Sequence, residues 1–200
     1  KRESQAPRLL LGYSMGGRLA MWSLCHYAHL WDRAIIISAD PGRSSSAVKQ
    51  QQFENDKKWA ERFRTESWNQ LIQDWNTQAI FGGLPPQTEG INEKYRNSIA
   101  HLMEIFSKGI QPDLTSGLIA SKIPITFISG EKDIKYTRMG QNLAAEAPNI
   151  DHLIVPNVGH RVPWEAKEWF TRYLSNKISS YSRNGLIMCT ENIKTTYNRN

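Results

Sequence analysis

Ten residues near the start of the chain constrain its fold more than any other stretch: Leu9-Leu10-Leu11 running into Gly12-Tyr13-Ser14-Met15-Gly16-Gly17-Arg18. The apolar run predicts a strand, and Arg18-Leu19-Ala20-Met21-Trp22-Ser23-Leu24 predicts a helix directly after it. A G-x-S-x-G between strand and helix reads as a nucleophile elbow, a bend whose serine hydroxyl stands clear of the backbone. The flanking glycines suit a strained turn and a close strand–helix approach, where a side chain would intrude. Such a bend lifts Ser14 Oγ above the sheet edge and turns the backbone N–H of Met15 toward a developing oxyanion. An ordinary strand–turn–helix is the competing reading of the same letters.

Downstream, strand and helix signals alternate. Residues 8–12 and Ala34-Ile35-Ile36-Ile37-Ser38 read as strands, the second β-branched enough to be buried on both faces. It runs into the turn signal Ala39-Asp40-Pro41-Gly42. Over 123–129 and 152–155 further strands are expected, with helices over 15–27, 137–145 and 163–174. This order argues for an α/β chain with a doubly wound, mostly parallel sheet. Between 44 and 118 the character changes: Trp59, Phe63, Trp68, Leu71, Trp75 and Phe81 recur at helical spacings, Gly82-Gly83-Leu84-Pro85-Pro86 interrupts, and a helix near 92–105 follows. That block reads as an inserted helical cap. The core would then comprise 1–43 and 119–178, with 179–200 a polar, loosely docked tail.

Composition narrows the function classes. Two hundred residues with 40% hydrophobic content can bury one sizeable core, and no apolar stretch approaches a membrane span. No membrane partner is expected. Cys25 and Cys189 form neither a disulfide framework nor a metal pattern, which fits a reducing, cytoplasmic setting. The net charge of +6 is spread along the chain without a nucleic-acid motif. Nucleic acid is therefore not expected as a partner; a basic pocket for a small acidic molecule uses the charge better. Nothing in the sequence sets an oligomeric state.

A serine nucleophile or base needs an imidazole within reach and an acid to orient that imidazole. Of the five histidines, His26 and His29 fall at the end of the elbow helix, His101 in the cap and His152 at a strand start. His160 follows Val155-Pro156-Asn157-Val158-Gly159, a loop between the last strand and the last helix. That is the topological place for a triad histidine, since chain order in α/β hydrolases is serine, acid, histidine. Asp133 in Gly130-Glu131-Lys132-Asp133 and Asp40 compete as the acid, both at strand C-terminal ends. Asp133 is favoured, because Asp40 precedes Pro41-Gly42 and can serve as a turn initiator. Lys132 and Lys135 read as solvated. Arg18, one helical turn past Ser14, can face the same side and attract a carboxylate, or lie on the surface.

Gly-Tyr-Ser-Met-Gly-Gly-Arg, the Ala39-Asp40-Pro41-Gly42 turn and Asp56-Lys57-Lys58-Trp59-Ala60 together resemble 2-succinyl-6-hydroxy-2,4-cyclohexadiene-1-carboxylate synthases of menaquinone biosynthesis. Trp75 with Gln78 and Phe81, Arg96, Gln111-Pro112-Asp113-Leu114 and Gly130-Glu131-Lys132-Asp133-Ile134-Lys135 extend the resemblance, which runs over 7–174. It implies an α/β-hydrolase fold and a lyase that expels pyruvate from a cyclohexene polycarboxylate, with the triad acting as a base. By position it implies Ser14, Asp133 and His160 as the triad, Arg18 and Arg96 as carboxylate ligands, and Tyr13 and Trp75 as pocket residues. Neither a metal nor an organic cofactor is required. The chain departs from the family at Gln52, where an arginine is common; Lys49 is the expected stand-in. In the fold implied, four strands and an oxyanion loop precede the elbow strand. The chain is thus expected to be the C-terminal part of such an enzyme, active when the missing part is present. A serine hydrolase acting on an ester or carbon–carbon bond, and a non-catalytic remnant, are the alternatives.

Overall fold

A computed structural model of the chain describes residues 7–42, 44–81 and 92–183. Its core is a sheet of β1 (Leu9–Tyr13), β2 (Arg33–Ile37), β3 (Ile125–Gly130) and β4 (Ile150–Val155), hydrogen-bonded in that order. Every pairing is parallel, with Gly12 opposite Ile36, Ile36 opposite Phe127, and Phe127 opposite His152. The helices α1 (Met15–Tyr27), α6 (Ile134–Glu146), α7 (Val162–Glu165) and α8 (Lys167–Arg183) alternate with the strands. Because side chains on a strand alternate between faces, β2 feeds two separate cores. Ala34 and Ile36 pack with Met21, Leu24, Phe127 and Leu143, from α1, β3 and α6. Ile35 and Ile37 pack on the other face with Val155, Val162, Trp169 and Phe170.

Between β2 and β3 the described residues include the helices α2 (Ser46–Thr65), α3 (Trp68–Asn76) and α4 (Arg96–Ile105), which pack together. Ser45 caps α2 by accepting from Val48 N–H. This block has its own core of Ala60, Phe63, Leu71, Ile72 and Ala100, lined by Trp59, Trp68, Trp75, Ile99 and Met103. The aromatic spacing thus corresponds to an internally packed cap. Near its expected end at residue 118, Leu114 and Leu118, the latter on α5 (Thr115–Ala120), join the core that holds α1. The Gly82–Pro86 interruption lies outside the described residues.

Element types follow the sequence expectation and ends shift by a few residues. The larger departure is at the final helix, which breaks at Ala166 (φ −122°, ψ 46°) and then continues to Arg183. Residues 179–183 are therefore helical where a loose tail was expected; 184–200, with Cys189, lie outside the described residues.

Candidate active site

Ser14 occupies the bend between β1 and α1 with φ 49° and ψ −114°, a conformation that L-residues rarely adopt. The strand–helix approach explains why glycine precedes it. A Cβ on Gly12 would stand 2.5 Å from Gly16 O and 2.8 Å from Gly17 Cα, both backbone atoms that cannot yield. The other motif glycine, Gly16, has open space around its Cβ position, so only the first is required sterically. Ser14 N–H donates to Ile37 O at 2.9 Å, and Arg18 N–H to Ser14 O at 3.1 Å. Met15 is the first residue of α1, where a backbone N–H has no acceptor within the helix.

His160 and Asp133 reach this bend from two loops that are stitched together. Lys132 N–H donates to Val158 O at 2.8 Å, Glu131 N–H to Val155 O at 2.9 Å, and Gly130 lies so close to Gly159 O that any side chain there would collide. The Glu165 carboxylate then fixes the backbone on both sides of the imidazole, accepting from Gly159 N–H at 2.6 Å and Arg161 N–H at 2.9 Å. His160 is 2% exposed. Its Nδ1 lies 2.7 Å from Asp133 Oδ2 and its Nε2 lies 3.2 Å from Ser14 Oγ. With Nδ1–H donated to the carboxylate, Nε2 is left as the acceptor of the serine proton, the relation a base needs. Tyr136 packs its ring 4.9 Å from the imidazole, and Tyr13 packs at 5.5 Å. Burial raises the pKa of both phenols and keeps them neutral.

Asp40, the competing acid, lines the same cavity but engages partners other than the imidazole. Its Oδ1 accepts from Gly42 N–H at 2.9 Å, the turn-initiating contact, and its Oδ2 pairs with Lys135 Nζ at 3.3 Å. Lys135 is therefore ion-paired despite its exposure, whereas Lys132 is exposed as expected.

Above the triad a cavity of about 400 Å³ opens between core and cap. Ser14 and His160 form its floor; Met15 and Arg18 line one side; Trp59, Phe63, Trp75 and Phe81 form an aromatic roof. Trp75 sits at the centre of that roof, 5.1 Å from Trp59 and 5.5 Å from Phe63. Arg18 is held rigidly: Nη1 donates to Gln111 Oε1 at 2.9 Å and Nη2 to Phe106 O at 2.6 Å. Burial lowers its pKa, which leaves a desolvated cation whose direct acceptors are neutral.

Two of the expected pocket residues are not on the cavity wall. Arg96 opens α4, and helical side chains lean toward the helix N-terminus. It therefore extends past the helix end, where Nη2 donates to Glu66 O at 2.6 Å, Nη1 pairs with Glu93 at 3.5 Å, and the guanidinium lies over Trp68. Tyr13 packs against His160 and Trp164 instead of facing the cavity. Lys49 is also elsewhere, with Nζ on Gln111 O at 2.7 Å, while Gln52 lines the cavity and donates to Asp56 Oδ1 at 2.7 Å.

Four residues at the site were not picked out from the sequence. Tyr136 and Glu165 hold the triad; Lys108 lines the cavity. Arg161, 6% exposed, ties core to cap through Asn76 Oδ1 at 2.8 Å and the face of Phe81 at 3.9 Å. An H-x-x-x-x-E spacing ahead of a helix could have pointed to Glu165. Among the described residues no cluster of histidine, cysteine, aspartate and glutamate could hold a metal, and no helix is long and apolar enough to cross a membrane.

No protein-family model matches the chain. Among curated proteins it is 31% identical over 138 residues to the 2-succinyl-6-hydroxy-2,4-cyclohexadiene-1-carboxylate synthase of Yersinia pseudotuberculosis (serotype O:1b), covering 66% of this chain and 51% of the relative. It is 31% identical over 156 residues to the protein of that name from Escherichia coli (strain SMS-3-5), covering 76% and 60%. The chain thus spans between half and three fifths of the length of these relatives. Among solved structures, MenH from S. aureus superposes with a TM-score of 0.76 at 22% identity, over 87% of this chain and 68% of that one. A thermophilic esterase from Thermogutta terrifontis superposes with a TM-score of 0.70 at 20% identity, over 88% and 66%. The chain has the α/β-hydrolase fold, and over the aligned residues it is a homologue of the synthases.

Proposed function

We propose that this synthase homologue supplies the base of a pyruvate-eliminating lyase of menaquinone biosynthesis. Its substrate would be 2-succinyl-5-enolpyruvyl-6-hydroxy-3-cyclohexene-1-carboxylate. The observation that carries the reading is the unbroken line Asp133–His160–Ser14 at the floor of a cavity that also holds Arg18. The chemistry follows from the substituents. Going from a 3-ene to a 2,4-diene removes the ring proton at C2, beside the succinyl carbonyl, and breaks the C5–oxygen bond of the enolpyruvyl group. Ser14 Oγ takes the C2 proton as its own proton passes to His160 Nε2, with Asp133 stabilising the imidazolium. The electron pair moves through the ring double bond, breaks the C5–oxygen bond and expels the enolate of pyruvate; the proton returned from His160 converts that enolate to pyruvate.

Negative charge grows on the succinyl carbonyl oxygen during proton removal. Met15 N–H, at the start of α1, and Arg18, on the cavity wall, would stabilise it and the neighbouring carboxylates. Trp75 and the other roof aromatics would cover the ring. The same proton line could serve acyl transfer, so the assay needs two substrates. The purified protein is given the enolpyruvyl acid with lactate dehydrogenase and NADH, and separately a p-nitrophenyl ester. Pyruvate release that disappears in Ser14→Ala supports the lyase; ester turnover without pyruvate release assigns a hydrolase instead. A cytoplasmic location and a small polycarboxylate ligand accompany this reading, in keeping with the free thiol of Cys25.

A further inference from the structure

Among the described residues the cavity is lined by two cations and two carboxylates, and neither cation is ion-paired with a carboxylate. Asp40 is engaged by Gly42 N–H and Lys135. Asp56 accepts from Gln52 Nε2 through Oδ1 and from Ser107 Oγ through Oδ2, each at 2.7 Å. Arg18 is bound only to a side-chain amide and a backbone carbonyl. Lys108 lines the same cavity, half-buried, and its Nζ has neither a hydrogen-bond nor an ion-pair partner among the described residues. A half-buried ammonium on a cavity wall with no protein acceptor is available to an anion that enters the cavity.

Lys108 is not there by chance of a loose loop. Gly109 N–H donates to Ser107 Oγ at 3.0 Å and Ile110 N–H to Ser107 O at 3.3 Å. Gly109 itself packs against Lys49 O and the Phe53 backbone of α2, closely enough that a Cβ would collide. The turn is thereby fixed on the cap, and its one cationic side chain lines the cavity. Burial, and then the neighbouring charge of Lys135, lowers the Lys108 pKa.

We propose that Lys108 is an anion ligand of the cavity, a second cationic contact beside Arg18 that receives a carboxylate of the substrate. It takes the part expected of Lys49, whose ammonium is spent on Gln111 O. The assignment rests on the polycarboxylate reading of the substrate but is tested without turnover. Calorimetric titration with trans-cyclohexane-1,2-dicarboxylate and with its neutral dimethyl ester is compared for wild type, Lys108→Met and Lys108→Arg, each checked for a cooperative thermal transition. Loss of one charged hydrogen bond should weaken dicarboxylate binding about 10- to 100-fold in Lys108→Met. Lys108→Arg should restore most of it, and the ester should bind all three alike. Wild-type affinity should fall as pH rises, because deprotonation removes the charge, and at a pH below the usual lysine range. The groups facing this ammonium are Arg18, Lys135, Asp40 and Asp56; in Lys108→Met the alkaline fall should vanish.

In turnover, Lys108→Met should raise KM for the enolpyruvyl acid more than it lowers kcat. Equal dicarboxylate affinity in wild type and Lys108→Met, or no dicarboxylate binding by wild type, overturns the proposal. Dicarboxylate binding that depends on Lys108, together with ester turnover and no pyruvate release by wild type, upholds this subsite and sinks the lyase reading instead.

Discussion

Replacing Ser14 by alanine and by glycine separates backbone strain from chemistry. Both variants lose Oγ, so both lose the 3.2 Å contact with His160 Nε2 and both should lose turnover. Neither loses a helix cap, because the Ser14 side chain makes no capping bond to α1. What differs is the backbone at φ 49° and ψ −114°. Alanine keeps the Cβ and the strain, on the order of 1–3 kcal/mol for such a conformation. Glycine removes the strain but widens the unfolded ensemble, at a cost of about 0.4–1 kcal/mol. Taking the middle of each range, Ser14→Gly should be more stable than Ser14→Ala by about 1.3 kcal/mol. For a chain of this size that corresponds to about 3–5 °C in Tm. Thermal melts followed by far-UV circular dichroism measure it directly. A Ser14→Gly protein that melts at or below Ser14→Ala would falsify the claim that the elbow stores strain.

The two motif glycines should respond with opposite signs. Gly12→Ala forces a Cβ onto the α1 backbone and should cost about 1–3 kcal/mol or more, whereas Gly16→Ala, exposed and helical with open space, should gain about 0.4–1 kcal/mol. Asp133→Asn should lower kcat for pyruvate release by roughly 10³- to 10⁴-fold, by disturbing the imidazole it orients. Asp40→Asn should leave kcat within about tenfold, since it breaks only a contact to an exposed lysine; a reversal of the two would make Asp40 the acid. Burial lowers the His152 pKa below its ordinary 6.5. The unfolded chain then binds the proton more readily, so this group's share of stability is complete at neutral pH and is lost as pH falls below about 6.5. Tm measured from pH 7.5 to 5 should fall less steeply in His152→Gln, which can still donate to Ser129 Oγ.

The fold was legible where local chemistry and tertiary position agree. Leu9-Leu10-Leu11 before a glycine-flanked serine, and the Ala34–Ile37 run buried on both faces, leave few alternatives to a parallel strand and its bend. Asp133 and His160 could be picked out because each ends a strand–loop unit, and parallel sheets bring all such ends to one rim. Residues that work by packing across the chain were not legible. Nothing around Lys108 distinguishes it from a solvated lysine; its setting depends on Ser107 reaching Asp56, fifty-one residues earlier. Arg96 was misplaced for the opposite reason. The family resemblance implies a cavity arginine at 96, but the lean of a side chain at a helix start carries it to Glu66 O.

The triad does not by itself choose between elimination and acyl transfer. Either reaction passes a proton along Ser14 Oγ and His160 Nε2; what differs is the atom held above the hydroxyl. In this cavity that choice falls to the seam between cap and core, where Gln111 is the shared tie. Its Oε1 orients Arg18, its Nε2 donates to Asp40 O at 2.8 Å, and its carbonyl receives Lys49. Arg18 is thus fixed relative to the cap as well as to the elbow, and Lys108 belongs to the same turn. A polycarboxylate anchored at these two cations has its distance to Ser14 set by the seam, with the aromatic roof fixing its tilt. An acid lacking a carboxylate at that end would still meet the same base, but its reacting carbon would not be held there. If the elimination proposed above is the reaction, selectivity for its substrate would reside in how the cap is tied down, at residues that touch Arg18 and not at the groups that move the proton.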